Sequence, residues 1–293
     1  MKNKIIPYLL LIPQFILSGL FIAGLINAIM ISLGIMPSLG LNKLTFDYYI
    51  KAFLRKDLFD SLTFSFYTAL VSALISTVLG VFICYFMINT KRGISWIVEL
   101  PIITPHVVTA LFIISIFSQN GFIARLLFMF NLIKDQQEFP VIVYNSGGIG
   151  IILGYIWKEV PFVIYFTASI MSNINEKLGD AAANLGAGAG RIFFEITLPL
   201  CKNTIISAFL IIFVFSLGAY ELPFLLGATK PKALPVQAYE QYLHPDLRNR
   251  PYAMALNGII IAAAMLSAVF YYFVLKSDID KKLKNKNLNT CII

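Results

Sequence analysis

The sequence is poor in charge and in the residues that build disulfide or metal sites. Charged residues make up 13% of its 293 residues, while 58% are hydrophobic and the mean hydropathy is +0.79. A soluble domain has about a quarter charged residues, so water is not the solvent for most of this chain. Three cysteines, Cys84, Cys201 and Cys291, lie far apart, and His106 and His244 are the two histidines. We therefore expect neither a disulfide framework nor a structural metal site.

Several chemical signatures are also missing from the sequence. It has no phosphate-binding G-x-x-x-x-G-K-[ST] loop, and the Gly-Ala repeat of residues 186–190 has the wrong spacing for one. It has no H-E-x-x-H or G-x-S-x-G motif and no paired aspartates within an apolar run. The net charge of +8 is scattered along the chain, which argues against a nucleic-acid interface. We expect no enzymatic activity, no nucleotide bound by this chain and no nucleic-acid partner.

Long apolar runs are what the sequence does have. A helix needs about 20 apolar residues to cross a membrane, because its backbone groups must pair within the segment. Six stretches qualify, at approximately 6–34, 61–88, 96–118, 149–172, 203–227 and 252–275. The first follows Lys2 and Lys4 like a signal peptide, but it is too long for a signal core and is predicted to be an uncleaved span. The predicted fold class is an all-α membrane protein with about six transmembrane helices.

The positively charged residues give a weak indication of orientation. With six spans, both ends of the chain lie on one side, and that side carries twelve Lys and Arg residues against ten on the other. Lys91 and Arg92 in a tight turn and the lysine-rich residues 276–286 favour both termini in the cytoplasm. On the outer side, residues 121–133 are apolar but too short to span and predict an interfacial helix. Residues 228–251 contain four prolines and predict an ordered irregular loop.

The connection between the fourth and fifth spans is too polar for the membrane and too patterned for a simple linker. Asp180 and the three alanines after it predict the start of a short helix, which the glycines at 186, 188 and 190 should interrupt. A second helix should follow, with apolar residues at helical spacing, and Pro199 should prevent it from continuing into the fifth span. The apolar residues are Ile192, Phe193, Ile196 and Leu200. A helix, turn and helix with an exposed apolar face predicts a partner protein.

This connection resembles the cytoplasmic loop of binding-protein-dependent ABC importer permeases. The family pattern is Glu-Ala-Ala, three residues, Gly, nine residues, and Ile-x-Leu-Pro. The matching positions in this sequence are Asp180, Ala181, Ala182, Gly186, Ile196, Leu198 and Pro199. Asp180 departs from the pattern, because aspartate keeps the charge of glutamate but has a shorter reach. Residues 99–108 and 219–227 also resemble the third and fifth core spans of the family.

The resemblance implies the type I importer architecture and its partners. We expect an N-terminal helix and outer loop (1–57), a transmembrane domain (58–276) with a coupling loop (173–202), and a basic cytoplasmic tail (277–293). The coupling loop would dock on a separate cytoplasmic ATPase subunit, which binds ATP and Mg²⁺. A second permease, identical or different, would complete the path across a prokaryotic cell membrane, and an extracytoplasmic solute-binding protein would deliver the substrate. Membrane lipids would surround the spans.

Ionisable residues inside spans are costly and are therefore candidates for the substrate path. The candidates are Glu99, Lys158, Glu159, Tyr220 and Glu221. Glu221 ranks first, because Pro223 frees a backbone carbonyl nearby. Interfacial positions or pairing between helices would explain the same residues equally well. His106 is predicted to be a hydrogen-bonding group in a helix kinked at Pro101 and Pro105 rather than a ligand.

Residues 219–236 look most similar to the spermidine/putrescine branch of the family, whose relatives also carry iron, thiamine, sulfate and sugars. Three candidate carboxylates would suit a polyamine. The main alternative function is a secondary transporter that uses an ion gradient, which leaves the pattern at 180–199 unexplained. A third alternative, an intramembrane enzyme, lacks a catalytic constellation in the sequence.

Overall fold

The computed structural model describes residues 6–90 and 96–290, and side-chain surroundings from residue 11 to 273 apart from residues 91–95 and 271. Lys2, Lys4, Lys91, Arg92 and Cys291 thus lie outside the described residues. In chain order the helices are α1 (Ile6–Ser32), α2 (Asp47–Phe53), α3 (Lys56–Asn89), α4 (Trp96–Ile103), α5 (His106–Phe117), α6 (Phe122–Met129), α7 (Ile149–Ile174), α8 (Asp180–Asn184), α9 (Ala189–Ile192), α10 (Leu198–Gly218), α11 (Glu221–Leu226), α12 (Leu234–Tyr242) and α13 (Arg250–Thr290). A short hairpin of β1 (Ile35–Met36) and β2 (Leu41–Asn42) follows α1.

The predicted number of membrane spans is confirmed within the described residues. Six helical stretches there are long and apolar enough to cross a membrane. They are Leu11–Ser32, Lys56–Asn89, His106–Met129, Ile149–Asn184, Ala189–Gly218 and Leu247–Phe270. The first is almost entirely exposed along its length and contacts the rest of the protein through α13. The fourth is half buried and lies at the centre of the bundle.

The core of the bundle is the packing of α3 against α7. The buried face of α3 is made of small residues at helical spacing, among them Ser65, Ala69, Ser72 and Gly80. Small side chains let two helices approach closely in a membrane, where dispersion contacts replace the hydrophobic effect. Several hydroxyl groups on this face are satisfied within the helix, as where Ser65 Oγ donates to the Ser61 carbonyl at 2.8 Å. Ser76 instead donates to Glu159 of α7, and the buried Thr77 hydroxyl has no hydrogen-bond partner among the described residues.

The structure differs from the sequence prediction in the loop between the fifth and sixth spans. Residues 228–251 are ordered but not irregular throughout, because α12 occupies Leu234–Tyr242. Pro235 lies in the first turn of α12, where no backbone donor is needed, so this proline starts a helix rather than breaking one. The Leu234 N–H donates to Ser65 Oγ at 2.7 Å, which ties α12 to α3. The helix predicted in residues 121–133 is present as α6.

A glycine-to-alanine substitution tests the close contact between α3 and α7. A Cβ at Gly80 would lie 2.6 Å from Val163 Cβ, so Gly80→Ala must push the two helices apart. We expect a loss of about 1–3 kcal/mol in the free energy of unfolding. The measurement is the melting temperature of the purified protein in detergent. Gly24→Ala in α1 is the control, because nothing lies within 4 Å of a Cβ there. Equal melting temperatures for the two variants would contradict the packing described.

Candidate functional site

The predicted helix, turn and helix between the fourth and fifth spans is present, and its turn centres on Gly186. The φ angle of Gly186 is +86°, a conformation that favours glycine. The Gly186 N–H donates to the Ala183 carbonyl at 2.9 Å, and the Ala187 N–H donates to the Ala182 carbonyl at 3.0 Å. This pair of bonds is the glycine-terminated helix ending known as the Schellman motif. Ala182 and Gly186, both in the sequence pattern, therefore close α8.

Three details of this loop differ from the prediction. Asp180 does not start a helix, because α7 continues into α8 through a π-helical turn at Asn175–Gly179. Gly190 does not belong to the interruption after the first helix but lies inside α9, which begins at Ala189. Pro199 does not separate the loop from the fifth span either. A π-helical turn at Phe193–Thr197 leads directly into α10, and Pro199 sits at the start of α10, where a missing backbone donor is tolerated.

The apolar residues of the loop divide into an anchored group and an exposed group. Contrary to the prediction, Ile192 and Phe193 do not belong to an exposed face but are buried against the bundle. The Phe193 ring lies 4.6 Å from the ring of Tyr85 in α3, and Tyr85 Oη donates to the Ala189 carbonyl at 2.7 Å. Leu185, beside the turn, is 89% exposed. An apolar side chain held so far out on a rigid turn is a contact point for another protein.

The predicted third span, 96–118, is interrupted at Thr104 and Pro105, between α4 and α5. Pro105 has no N–H to donate to the Pro101 carbonyl four residues earlier, so α4 ends there. The structure supplies a replacement donor from α7. Lys158 Nζ donates to the carbonyls of Pro101 at 2.7 Å, Ile102 at 3.3 Å and Thr104 at 2.6 Å. Lys158 thus caps the C-terminal end of α4, which also carries a partial negative charge.

The fifth span is interrupted in the same manner, between α10 and α11. The last residue of α10 is Gly218, and the Ser216 carbonyl near this end accepts a hydrogen bond from Tyr155 Oη at 3.1 Å. Glu159, one turn from Tyr155 on α7, accepts a hydrogen bond from Ser216 Oγ and another from Ser76 Oγ at 2.8 Å. Glu159 is 4% exposed, so it ties α3, α7 and α10 together rather than facing a path.

The second halves of the two interrupted spans begin next to each other. His106 is the first residue of α5 and Glu221 is the first residue of α11. His106 Nδ1 lies 3.1 Å from Glu221 Oε2. The Glu221 side chain is 51% exposed and that of His106 is 28% exposed, so the pair is accessible. His106 is a hydrogen-bonding group, as predicted.

Aromatic rings flank this pair. The Tyr220 ring centroid lies 4.5 Å from that of Tyr239 in α12 and 5.6 Å from that of Phe224. Two of the predicted path residues, Tyr220 and Glu221, are thus adjacent on one accessible surface. Glu99 contributes to a different contact, since it accepts a hydrogen bond from Tyr165 Oη at 2.7 Å. We call His106, Tyr220, Glu221, Phe224 and Tyr239 the aromatic–carboxylate site.

A cavity of about 720 Å³ opens at the end of the bundle opposite the Gly186 turn. Its walls come from the start of α3, the 229–232 segment and α12, and they include Asp60, Tyr67 and Gln237. A second cavity of about 190 Å³ shares five lining residues with the first and is also lined by Pro223 and Phe224 of α11. The two cavities therefore lead from that end of the molecule towards the aromatic–carboxylate site.

Six apolar spans, two of them interrupted at a shared polar site, and a glycine-turned loop at one end define a multi-pass transport protein of the permease class. A family model described as "Binding-protein-dependent transport system inner membrane component" matches residues 76–281, most of the chain. The chain belongs to this family of ABC importer permeases.

Comparison with solved structures shows the same fold. A chain in the crystal structure of a bacterial ABC transporter that imports the acidic polysaccharide alginate superposes with a TM-score of 0.77. The two chains are 19% identical, and the match covers 94% of this chain and 96% of the other. The fold is that of a type I ABC importer permease.

Curated relatives carry different substrates. The molybdate/tungstate permease WtpB of Methanocaldococcus jannaschii is 26% identical over 74% of this chain and 83% of its own length. The molybdenum permease ModB of Haemophilus influenzae is 25% identical over 71% of this chain and 90% of its own length. The spermidine/putrescine permease PotB of Haemophilus influenzae is 29% identical, over 45% of this chain and 46% of its own length. The relatives agree on the class of protein and differ in the substrate they are named for.

Sequence reasoning missed the residues that hold the interrupted spans in place. Tyr155, Ser76 and Ser216 are ordinary residues of apolar runs, and their partners lie 57 to 83 residues away in the chain. Tyr239 was missed because its segment was predicted to be irregular. The one available signal was Pro105, since a proline inside a span frees a carbonyl that needs another donor.

Substitution of Glu159 tests its role as a tie between three helices. Glu159→Ala removes the acceptor of both the Ser76 and Ser216 hydroxyls, and we expect a loss of about 1–3 kcal/mol in unfolding free energy. Glu159→Gln should lose less, because an amide can accept from one hydroxyl and donate to the other. The measurement is thermal unfolding in detergent, with Glu195→Ala on the exposed loop surface as control. If Glu159→Ala were as stable as that control, the tie would not matter for stability.

Proposed function

We propose that this chain is the translocation subunit of an ATP-driven importer, and that residues 173–202 are the coupling loop that docks on a separate ATPase. The observation that carries this proposal is the exposed, rigid Gly186 turn on the same residues that match the family pattern. Asp180, Ala181, Gly186 and Pro199 are exposed there, with Leu185 beside them. A short rigid element that continues two spans without a flexible joint can transmit a rigid-body motion from one protein to another.

The proposal also assigns partners and orientation. ATP and Mg²⁺ would bind to the ATPase subunit and not to this chain. A second permease subunit would complete the path, and a solute-binding protein would deliver substrate at the end that holds the 720 Å³ cavity. If the coupling loop meets a cytoplasmic ATPase, the even number of spans places both ends of the chain in the cytoplasm. This agrees with the lysine-rich tail.

We further propose that the substrate is an organic cation of the polyamine type. Glu221 offers a half-exposed carboxylate beside the rings of Tyr220 and Tyr239, and carboxylates and aromatic faces both bind ammonium groups. The nearest cationic group on α7, that of Lys158, already donates to three carbonyls. An oxyanion would therefore meet a carboxylate instead of a free positive charge at this site. The relatives named for molybdate and sulfate make oxyanion uptake the competing outcome of the test.

Substitutions at two glycines of the turn test the coupling loop. Gly186→Asp places a side chain at φ +86° and should distort the turn, so uptake driven by the reconstituted complex should fall by about tenfold or more. Gly188→Asp adds the same side chain where there is equal space and an extended backbone that favours aspartate as a helix cap. ATP hydrolysis and uptake are measured together. Wild-type coupling in Gly186→Asp would contradict the assignment of the loop.

The substrate proposal is tested by uptake of labelled spermidine, molybdate and sulfate into proteoliposomes that contain the complete importer. We expect spermidine uptake, and we expect Glu221→Gln to reduce it by about tenfold, because a neutral amide loses the charge-assisted contact. Glu138→Gln in the outer loop serves as the control. Uptake of molybdate or sulfate without spermidine would overturn the substrate class and leave the permease function standing.

A further inference from the structure

The contacts of Lys158 correspond to the backbone bonds that the third span lacks. In a continuous helix, the carbonyls of residues 101, 102 and 104 would accept from the N–H groups of residues 105, 106 and 108. Pro105 removes the first of these donors and diverts the chain, so the other two bonds are not made either. The regular pattern resumes when the Thr109 N–H donates to the Pro105 carbonyl at 3.0 Å. The carbonyls of residues 101 to 104 are thus left without their helical donors, and Lys158 Nζ contacts three of these four. The Pro101 carbonyl also accepts a hydrogen bond from Thr104 Oγ1 at 3.0 Å.

The ammonium group of Lys158 is fully used by these contacts. A lysine ammonium has three N–H groups and accepts nothing, and three carbonyl oxygens lie between 2.6 and 3.3 Å from it. A charged lysine within a span is costly unless it is satisfied, and an unpaired carbonyl in an apolar environment is costly as well. The hydrogen bonds between Lys158 and the carbonyls remove both costs. Lys158, a candidate for the substrate path from the sequence, thus has no N–H group left to donate to a substrate.

The direction of the third span changes at this point, and the change determines where His106 lies. The end of α4 is held on α7 by Lys158, while α5 packs against α11 and brings His106 to Glu221. A continuous helix through residues 96–117 would carry His106 on a path set by α4, not by α11. The position of the aromatic–carboxylate site therefore depends on the interruption.

We propose that Lys158 is a positioning residue that replaces the backbone donors lost at Pro105, and that it keeps the third span interrupted so that His106 meets Glu221. The expected effect on uptake rests on the proposed transport function. The role of Lys158 as a replacement donor does not. Lys158 acts on the path through α4 and α5 and does not touch the substrate.

The test is a double-mutant cycle with Lys158→Met, Pro105→Ala and the combined variant, in the full-length protein and in the complete importer. Lys158→Met removes the Lys158 donor from three carbonyls and leaves those of Ile102 and Thr104 unpaired, since Thr104 Oγ1 still donates to the Pro101 carbonyl. It should lower the melting temperature clearly more than Lys134→Met, an exposed outer-loop control. Pro105→Ala restores the N–H that lets the helix close on itself. The combined variant should therefore recover at least half of the melting temperature that Lys158→Met loses.

Uptake should not recover together with the melting temperature. The combined variant closes the third span into one helix and should remain at least about tenfold below wild type in uptake, even though its stability is recovered. If the combined variant is no more stable than Lys158→Met, Lys158 does not replace the backbone donors lost at Pro105. A combined variant that transports like the wild type would overturn the need for the interruption. If the wild-type complex shows no uptake, the proposed function fails, and the melting temperatures still decide the role of Lys158.

Discussion

The requirement that every backbone carbonyl and N–H be satisfied inside the membrane organises this molecule. An uninterrupted helix meets the requirement alone, but two of the predicted spans are interrupted and cannot. The missing partners come from α7, which supplies Lys158 to α4 and Tyr155 to the end of α10. Glu159 on the same helix binds the hydroxyl of Ser216 beside that end. The central helix α7 therefore holds the ends of the two interrupted spans by hydrogen bonds from its side chains.

This arrangement explains why charged residues of one short segment have different roles. Lys158 and Glu159 are neighbours in sequence and point to different sides of α7. Lys158 meets the end of a helix, where carbonyls are free, and Glu159 meets serine hydroxyls in the packed core. Glu221 has a partner in His106 and yet stays half exposed, which leaves it available to a substrate. Partners and exposure, rather than charge, separate the structural residues from the residue proposed for the substrate path.

Much of the fold could be predicted from the sequence, because length and hydropathy alone define six spans. The helix, turn and helix between the fourth and fifth spans could be located as well, since Gly186 and the alanines before it form a local motif. The interruption at Pro105 was predicted as a kink, but its cap was not, because the donor is 53 residues further along the chain. Pro199 and Pro235 show that a single proline does not predict where a helix is absent. Both were expected to oppose helix, and both lie in the first turn of one, a position that depends on where the helix begins.

The contact between Tyr85 and the loop that contains Gly186 has a mechanical consequence. Tyr85 ends the buried face of α3, and its hydroxyl donates to the Ala189 carbonyl while its ring rests on Phe193. Because α3 and α7 are in close contact through Gly80, the loop rests on two helices that have little room to shift against each other. We therefore expect a displacement of Leu185 to move the two helices together. We expect the bundle to bend instead at the two breaks, where the helices are not continuous.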